Sequence, residues 1–157
     1  MEDHSHYMRR AIALADRSMR NHEGGPFGAV IVKDHTIIGE GWNRVIATND
    51  PTAHGEISAI RDACRKIDSF ELSGCSIYTT GEPCPMCLGA IYWARISRIY
   101  FGFRINDAAD IGFDDTNIFD QFSLAPEQRK IPSSEILRDE AMILASNYQN
   151  ISGRIAY

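Results

Sequence analysis

The segments His54-Gly55-Glu56 and Pro83-Cys84-Pro85-Met86-Cys87 constrain the fold more than any other part of this chain. One imidazole and two thiolates make three ligands for a zinc ion. They leave the fourth tetrahedral position to water, the pattern of a catalytic rather than a structural site. A fold that serves this set must bring together residues about thirty positions apart. Local geometry narrows it further. Side chains two residues apart in mid-helix diverge by about 200°. His54 and Glu56 therefore share a focus only if His54 stands at the very start of a helix, which the Asn49-Asp50-Pro51-Thr52 turn favours. Cys84 and Cys87, at i and i+3, fall on one helix face. With Pro85 near the first helical position, unpaired N–H groups and the positive dipole end point at the sulfurs and favour thiolates. Two helix N-termini are thus expected to converge on one Zn2+ per chain, held by His54, Cys84 and Cys87.

Four cysteines also allow two disulfides, with Cys64 and Cys75 as the remaining pair. No N-terminal stretch combines a basic start, an apolar run and a small-residue cleavage site, so a secreted, disulfide-linked chain is not expected and a cytoplasmic one is. A redox C-x-x-C is the other alternative, but the Glu82-Pro83 lead-in and the upstream H-x-E fit zinc better. Cys64 and Cys75 read as small buried apolar residues. The other histidines, His4, His6, His22 and His35, have no partner spacing and read as surface residues.

With 157 residues the chain is expected to form a single domain over 1–157, with no low-complexity tract, repeat or linker. No apolar run approaches the ~20 residues of a membrane span. The net charge of −5 bears on partners: Lys and Arg are scattered, while Asp107, Asp110, Asp114, Asp115 and Asp120 crowd one segment. Polynucleotide binding draws most of its affinity from phosphate contacts and calls for a basic face. A small free substrate is the better expectation, with neither nucleic acid nor membrane as partner.

Met8, Ala11, Ile12, Ala15 and Met19 make one apolar stripe of a first helix, ended by Gly24-Gly25-Pro26. Ala29-Val30-Ile31-Val32 and Ile37-Ile38 read as a hairpin around Lys33-Asp34-His35. A second helix follows, carried by Ile57, Ile60, Cys64 and Ile67, then a strand over 75–80. A third helix opened by Pro83 and Pro85 comes next, then a strand over 96–103. After a long loop, 131–136 reads as a fifth, weaker strand and 139–150 as a last helix. Strands alternating with helices predict an α/β sheet covered on both faces, and the opening hairpin makes the sheet mixed.

At these residues the chain resembles the cytidine/deoxycytidylate deaminase superfamily, whose signature is H-x-E…P-C-x-x-C. Within it, the match is to the small bacterial guanine deaminases. It runs from about Gly24 to Asp115 and is carried by Gly24-Gly25-Pro26-Phe27-Gly28-Ala29-Val30, Asn49-Asp50-Pro51-Thr52-Ala53-His54, Glu82 through Ala94, and Gly112-Phe113-Asp114-Asp115. The resemblance implies a three-layer α/β/α sandwich with a five-stranded mixed sheet. It also implies a homodimer with exchanged C-terminal segments. One departure is Gly55, where alanine is more common, which is expected to loosen the backbone there. Another is the tail from Asn147 to Tyr157, which matches poorly.

The activity implied is zinc-dependent hydrolysis of guanine to xanthine and ammonia. The metal activates water, and Glu56 carries its proton to the ring nitrogen beside the carbon attacked. The amine leaves badly unless it is protonated, and the resemblance gives the role of second acid to Asp115, with Asp114 as the less favoured holder. From residue type alone, the acidic pair reads equally as a solvated loop. Asn43 matches a polar contact to the base edge, though a turn asparagine is as good a reading by itself. Phe27 resembles a ring that stacks on the substrate. Tyr157 offers a flat face and a hydroxyl suited to closing the site, in trans if segments are exchanged. The alternatives are an ammeline-like triazine, cytosine or tRNA adenosine as substrate, or a non-catalytic binding protein on the same fold. The intact Glu56 speaks against the last of these.

Overall fold

The computed structural model describes residues 4–157. They divide into two compact units that meet at the Thr116–Asn117 bond. The first carries four strands, β1 (Gly28–Lys33), β2 (Thr36–Trp42), β3 (Ser76–Gly81) and β4 (Arg98–Phe103), and the helices α1 (His4–Arg20), α2 (Val45–Thr48), α3 (Gly55–Ile67), α4 (Pro85–Trp93) and α5 (Ile105–Asp110). Sheet order is β2-β1-β3-β4. β1 runs antiparallel to both β2 and β3, while β3 and β4 are parallel. That parallel step needs a crossover, which α4 supplies.

Alternation along β1 builds the three layers. Ala29 and Ile31 face Ala59 and Ala63 of α3 and Ile91 of α4. Val30 and Val32 face Tyr7, Ala11 and Leu14 of α1. A strand covered on both faces reads as a continuous apolar run, and Gly28–Lys33 is buried at every position but the last. The hairpin turn places Asp34 and His35 at positive φ (46° and 61°), the two left-handed central residues of a type I′ turn.

The α1 stripe is rotated from the expected one. Tyr7, Ala11, Leu14, Ala15 and Ser18 are buried, while Ile12 and Met19 are exposed. A polar residue breaks the hydrophobic reading here: Ser18 is buried because its hydroxyl donates to the Asn43 carbonyl at 2.6 Å.

The expectation of five strands is corrected to four among the described residues. The segment 131–136 has no ladder, and Ile131 and Ile136 are 83% and 79% exposed. Its composition explains this. One face of a strand there would present Ile131, Ser133 and Glu135, the other Pro132, Ser134 and Ile136. Neither face is apolar, and Pro132 has no N–H to donate. The expected long loop after β4 instead contains α5. The second unit holds α6 (Thr116–Ser123), which starts at the boundary, a 3-10 turn and α7 (Arg138–Gln149). No described helix is long and apolar enough to cross a membrane.

Candidate active site

Two helix starts meet beyond the carboxyl end of β3, where open α/β sheets place their ligands. His54 is the N-cap of α3, with extended backbone (φ −70°, ψ 159°), and Glu56 lies in the first turn. Cys84 is the N-cap of α4 (φ −64°, ψ 168°), Pro85 follows at its start, and the Cys87 N–H donates to the Cys84 sulfur at 3.5 Å. The capping geometry turns His54 back toward the cysteines without a mid-helix divergence from Glu56.

Close backbone approach makes this possible. A Cβ on Gly41 would stand 2.2 Å from the Ala59 nitrogen, and one on Gly55 2.8 Å from the Phe27 carbonyl oxygen. Gly55 is therefore buried and tight rather than loose: it lets the start of α3 press against β1, and the expected loosening is not found.

His54 Nδ1 lies 3.5 Å from both the Cys84 and the Cys87 sulfurs. With Zn–S near 2.3 Å and Zn–N near 2.0–2.1 Å, tetrahedral angles separate S from N by about 3.6 Å. The residues thus fit the ion in distance and in donor type. The Cys84 thiol is pulled down to about 4, chiefly by a hydrogen bond from the Cys87 thiol and further by His54, so a thiolate is present at neutral pH. Cys87, on the other side of that bond, is pushed up. All four cysteines are free, and Cys64 and Cys75 pack with the core as expected of apolar residues.

Glu56 is 3% exposed, and burial pushes its carboxyl above the usual range. Asp115 is also pushed up, first by burial and then by the nearby Cys84 sulfur, and its Oδ1 is buried without a hydrogen-bond partner. Asp114 is different. Its Oδ1 accepts from the Thr116 N–H and hydroxyl, which lowers its carboxyl, and it is exposed. Two adjacent carboxyls thus have opposite surroundings.

His54, Glu56, Cys84, Asn43, Phe27 and Asp115 line one cavity of about 350 Å3. Asn43 is 4% exposed, and its Oδ1 accepts from the Val45 N–H at 3.2 Å. Phe27 meets Phe113 edge-on, with ring centroids 5.0 Å apart. Asp114 also lines the cavity. Tyr157 belongs to the second unit and is 72% exposed. Sequence reasoning missed Phe113, Val45, Ile46, Ile105 and Ala108 as lining residues. Val45 and Ile46 sit on a four-residue helix, too short for periodicity to reveal, and Ile105 and Ala108 share only a single i, i+3 step.

Three protein ligands leave one position at a zinc open. A buried carboxyl beside an open position is the apparatus of hydrolysis, so the class is that of the zinc-dependent deaminases. The chain belongs to the cytidine and deoxycytidylate deaminase family, whose zinc-binding region matches residues 1–103. It is 43% identical over 155 residues to the guanine deaminase of Bacillus subtilis (strain 168), covering 99% of each chain. An X-ray structure of guanine deaminase from Bacillus subtilis matches with a TM-score of 0.95, over 99% of both chains. The tRNA-specific adenosine deaminase of Buchnera aphidicola subsp. Schizaphis graminum is 40% identical over 144 residues, 92% of each chain. A structure of guanine deaminase from Nitrosomonas europaea is 28% identical, with a TM-score of 0.68 over 96% of this chain and 87% of that one.

Proposed function

We propose that this chain hydrolyses guanine to xanthine and ammonia. The observation that carries the reading is the placement of two carboxyls, Glu56 and Asp115, around the cavity that His54 and Cys84 also line, in a chain similar to a guanine deaminase over its whole length. His54, Cys84 and Cys87 hold the zinc. When bound, the zinc supplies the Lewis acidity that makes water a nucleophile at neutral pH.

The remaining work falls to side chains. Glu56, a weakened acid in a dry position, takes a proton from water and returns it to the ring nitrogen beside the attacked carbon. Asp115, whose carboxyl burial also weakens as an acid, is placed to hand a proton to the departing amine. Asp114 is engaged with Thr116, so it is the poorer holder of that role. Asn43 bears on substrate choice. The Val45 N–H requires an oxygen, which sets the amide orientation and leaves Nδ2 as the group for the base. An N–H donor there suits the carbonyl of guanine and not the exocyclic amine of adenine. The net charge of −5 likewise disfavours tRNA. Phe27 and Phe113 provide aromatic wall for a flat ring.

The chain works as a cytoplasmic homodimer in this reading. Apolar side chains stand out on α4 (Tyr92 76%, Trp93 68% exposed) and, within the second unit, at Phe122, Leu144 and Ile151. Exposed apolar surface of this kind calls for a partner. Exchange of the 117–157 segment between subunits, with Tyr157 lidding the site in trans, would cover it.

Ammonia release by zinc-loaded protein tests the assignment against guanine, adenine, cytosine, ammeline and adenosine in a tRNA anticodon stem. Guanine is expected to give the highest kcat/KM. A higher value on tRNA, falling steeply with salt, would replace the guanine reading.

A further inference from the structure

Glu82 stands two residues before Cys84 and has no part in holding metal or moving protons in the scheme above. Its backbone N–H donates to the Phe103 carbonyl at 2.9 Å, where β3 and β4 end side by side. Its side chain does something further: Oε2 accepts from the Ile105 N–H at 3.2 Å. Ile105 is the first residue of α5, and its N–H has no partner within that helix. The preceding N–H, of Arg104, is taken by Asp107 Oδ2 at 2.8 Å. A helix of six residues has little stability of its own. Its position depends on such tethers.

From α5 the path to the cavity is short and begins with a hydrogen-bonded turn. The Ala108 carbonyl accepts from the Ile111 and Phe113 N–H groups at 3.2 and 2.9 Å, and the Ala109 carbonyl accepts from Gly112, which is left-handed at φ 96°. Phe113 then locks edge-on against Phe27. Asp115 follows, with its buried, unpartnered Oδ1. Residues 113–115 have no regular structure, so the Phe113–Phe27 ring contact is what links a displacement at Ile105 to Asp115, two residues further on.

We propose that Glu82 is a positioning residue: its carboxylate ties the metal-binding loop to the first turn of α5 and so sets where Asp115 stands relative to His54, Cys84 and Cys87. This rests on the role given to Asp115 above. Positioning matters because a misplacement of about 1 Å costs on the order of 10²-fold in rate.

Three variants and one double variant test it. Glu82→Ala removes the tether. Glu82→Asp keeps the charge but is too short to reach. Glu82→Gln keeps an oxygen acceptor at the original reach. Glu82→Ala and Glu82→Asp are expected to lower kcat for guanine by about 10–100-fold with KM little changed and one zinc per chain retained. Glu82→Gln should restore most of that kcat. In an Asp115→Asn background, Glu82→Ala should add almost nothing, because its effect passes through Asp115. A second readout is independent of turnover. Amide hydrogen exchange over 104–115 should quicken about tenfold in the Ala and Asp variants, the weight of one hydrogen bond, and much less in the Gln variant, which keeps a neutral acceptor. Full activity of Glu82→Ala, loss of zinc in it, an effect that multiplies with Asp115→Asn, or unchanged exchange would each overturn the proposal. If the wild type fails to turn over guanine, the functional reading falls while the exchange measurement still reports on the tether.

Discussion

Glu56 and Gly55 show how much depends on single positions in the first turn of α3. Glu56 carries a proton but is not a ligand in the proposed scheme. Glu56→Gln should therefore keep one zinc per chain by elemental analysis and lose about 10²–10⁴-fold in turnover. Turnover within tenfold of wild type would remove Glu56 from the mechanism. Gly55→Ala asks a packing question. The added Cβ meets backbone atoms, the Phe27 carbonyl oxygen at 2.8 Å and Gly28 Cα at 3.3 Å, which cannot rotate away as a side chain can. Overpacking of this kind costs about 1–3 kcal/mol, against a gain in helix propensity of at most ~1 kcal/mol. The steric term wins, and Tm should fall by roughly 2–8 °C in a thermal melt. An unchanged Tm would mean that the backbone at Phe27 yields easily. The set His54, Cys84 and Cys87 was legible because its chemistry is specific to its spacing. The tightness at Gly55 was not, since a missing side chain says nothing of what stands opposite.

Among the elements, α1 and β2 are joined at the surface by a bidentate pair. Arg10 Nε and Nη2 each donate to Glu40 at 2.7 Å. This holds the Glu40 carboxyl below its usual value of 4.5. Glu40 is thus a stronger acid folded than unfolded. Its stabilisation is complete above the unfolded value and is lost as pH falls through the lowered folded one. The side chains are 44% and 27% exposed, so screening keeps the pair to about 0.3–1 kcal/mol. Glu40→Gln should lower Tm by about 1–4 °C at pH 7. The difference from wild type should shrink as pH falls below ~4.5 and be lost once pH passes below the lowered folded value. A difference that persists in acid would show that the charge is not its source. Strand and helix order were legible from the hydrophobic pattern, including the hairpin and both helix starts. The α1 stripe was misjudged by one position, because the pattern could not see that the Ser18 hydroxyl would find a carbonyl partner inside. The strand expected at 131–136 failed because isolated isoleucines in a Pro/Ser/Glu context build no apolar face.

At the scale of the whole molecule, the proposed exchange concerns assembly. If Tyr157 closes the site in trans, deleting residues 153–157 should cut kcat/KM for guanine at least about tenfold, with zinc content and Tm nearly unchanged. Mixing that truncated chain with full-length Glu56→Gln should restore activity, because a hybrid dimer joins an intact Glu56 to an intact lid. A fully active truncation, or no recovery despite demonstrated subunit exchange, would sink the trans-lid idea.

The sequence by itself determined the ligand set and the α/β alternation, because metal ligation and hydrophobic periodicity are written in residue type and local spacing. It could also place His54 and Cys84 at helix starts, since i, i+2 and i, i+3 geometry admits no better arrangement. Only the tertiary structure decided that Asp115 has a buried, unpartnered Oδ1 while Asp114 is exposed and held by Thr116, that the Asn43 amide is buried in the cavity wall, and what Glu82 holds. The Asp114 and Asn43 bonds are to N–H groups only two residues on, but the burial of Asp115 and Asn43 depends on the whole cavity, and Glu82 and Ile105 are 23 residues apart. No local pattern encodes such a distance; it exists only once β3 and β4 lie side by side.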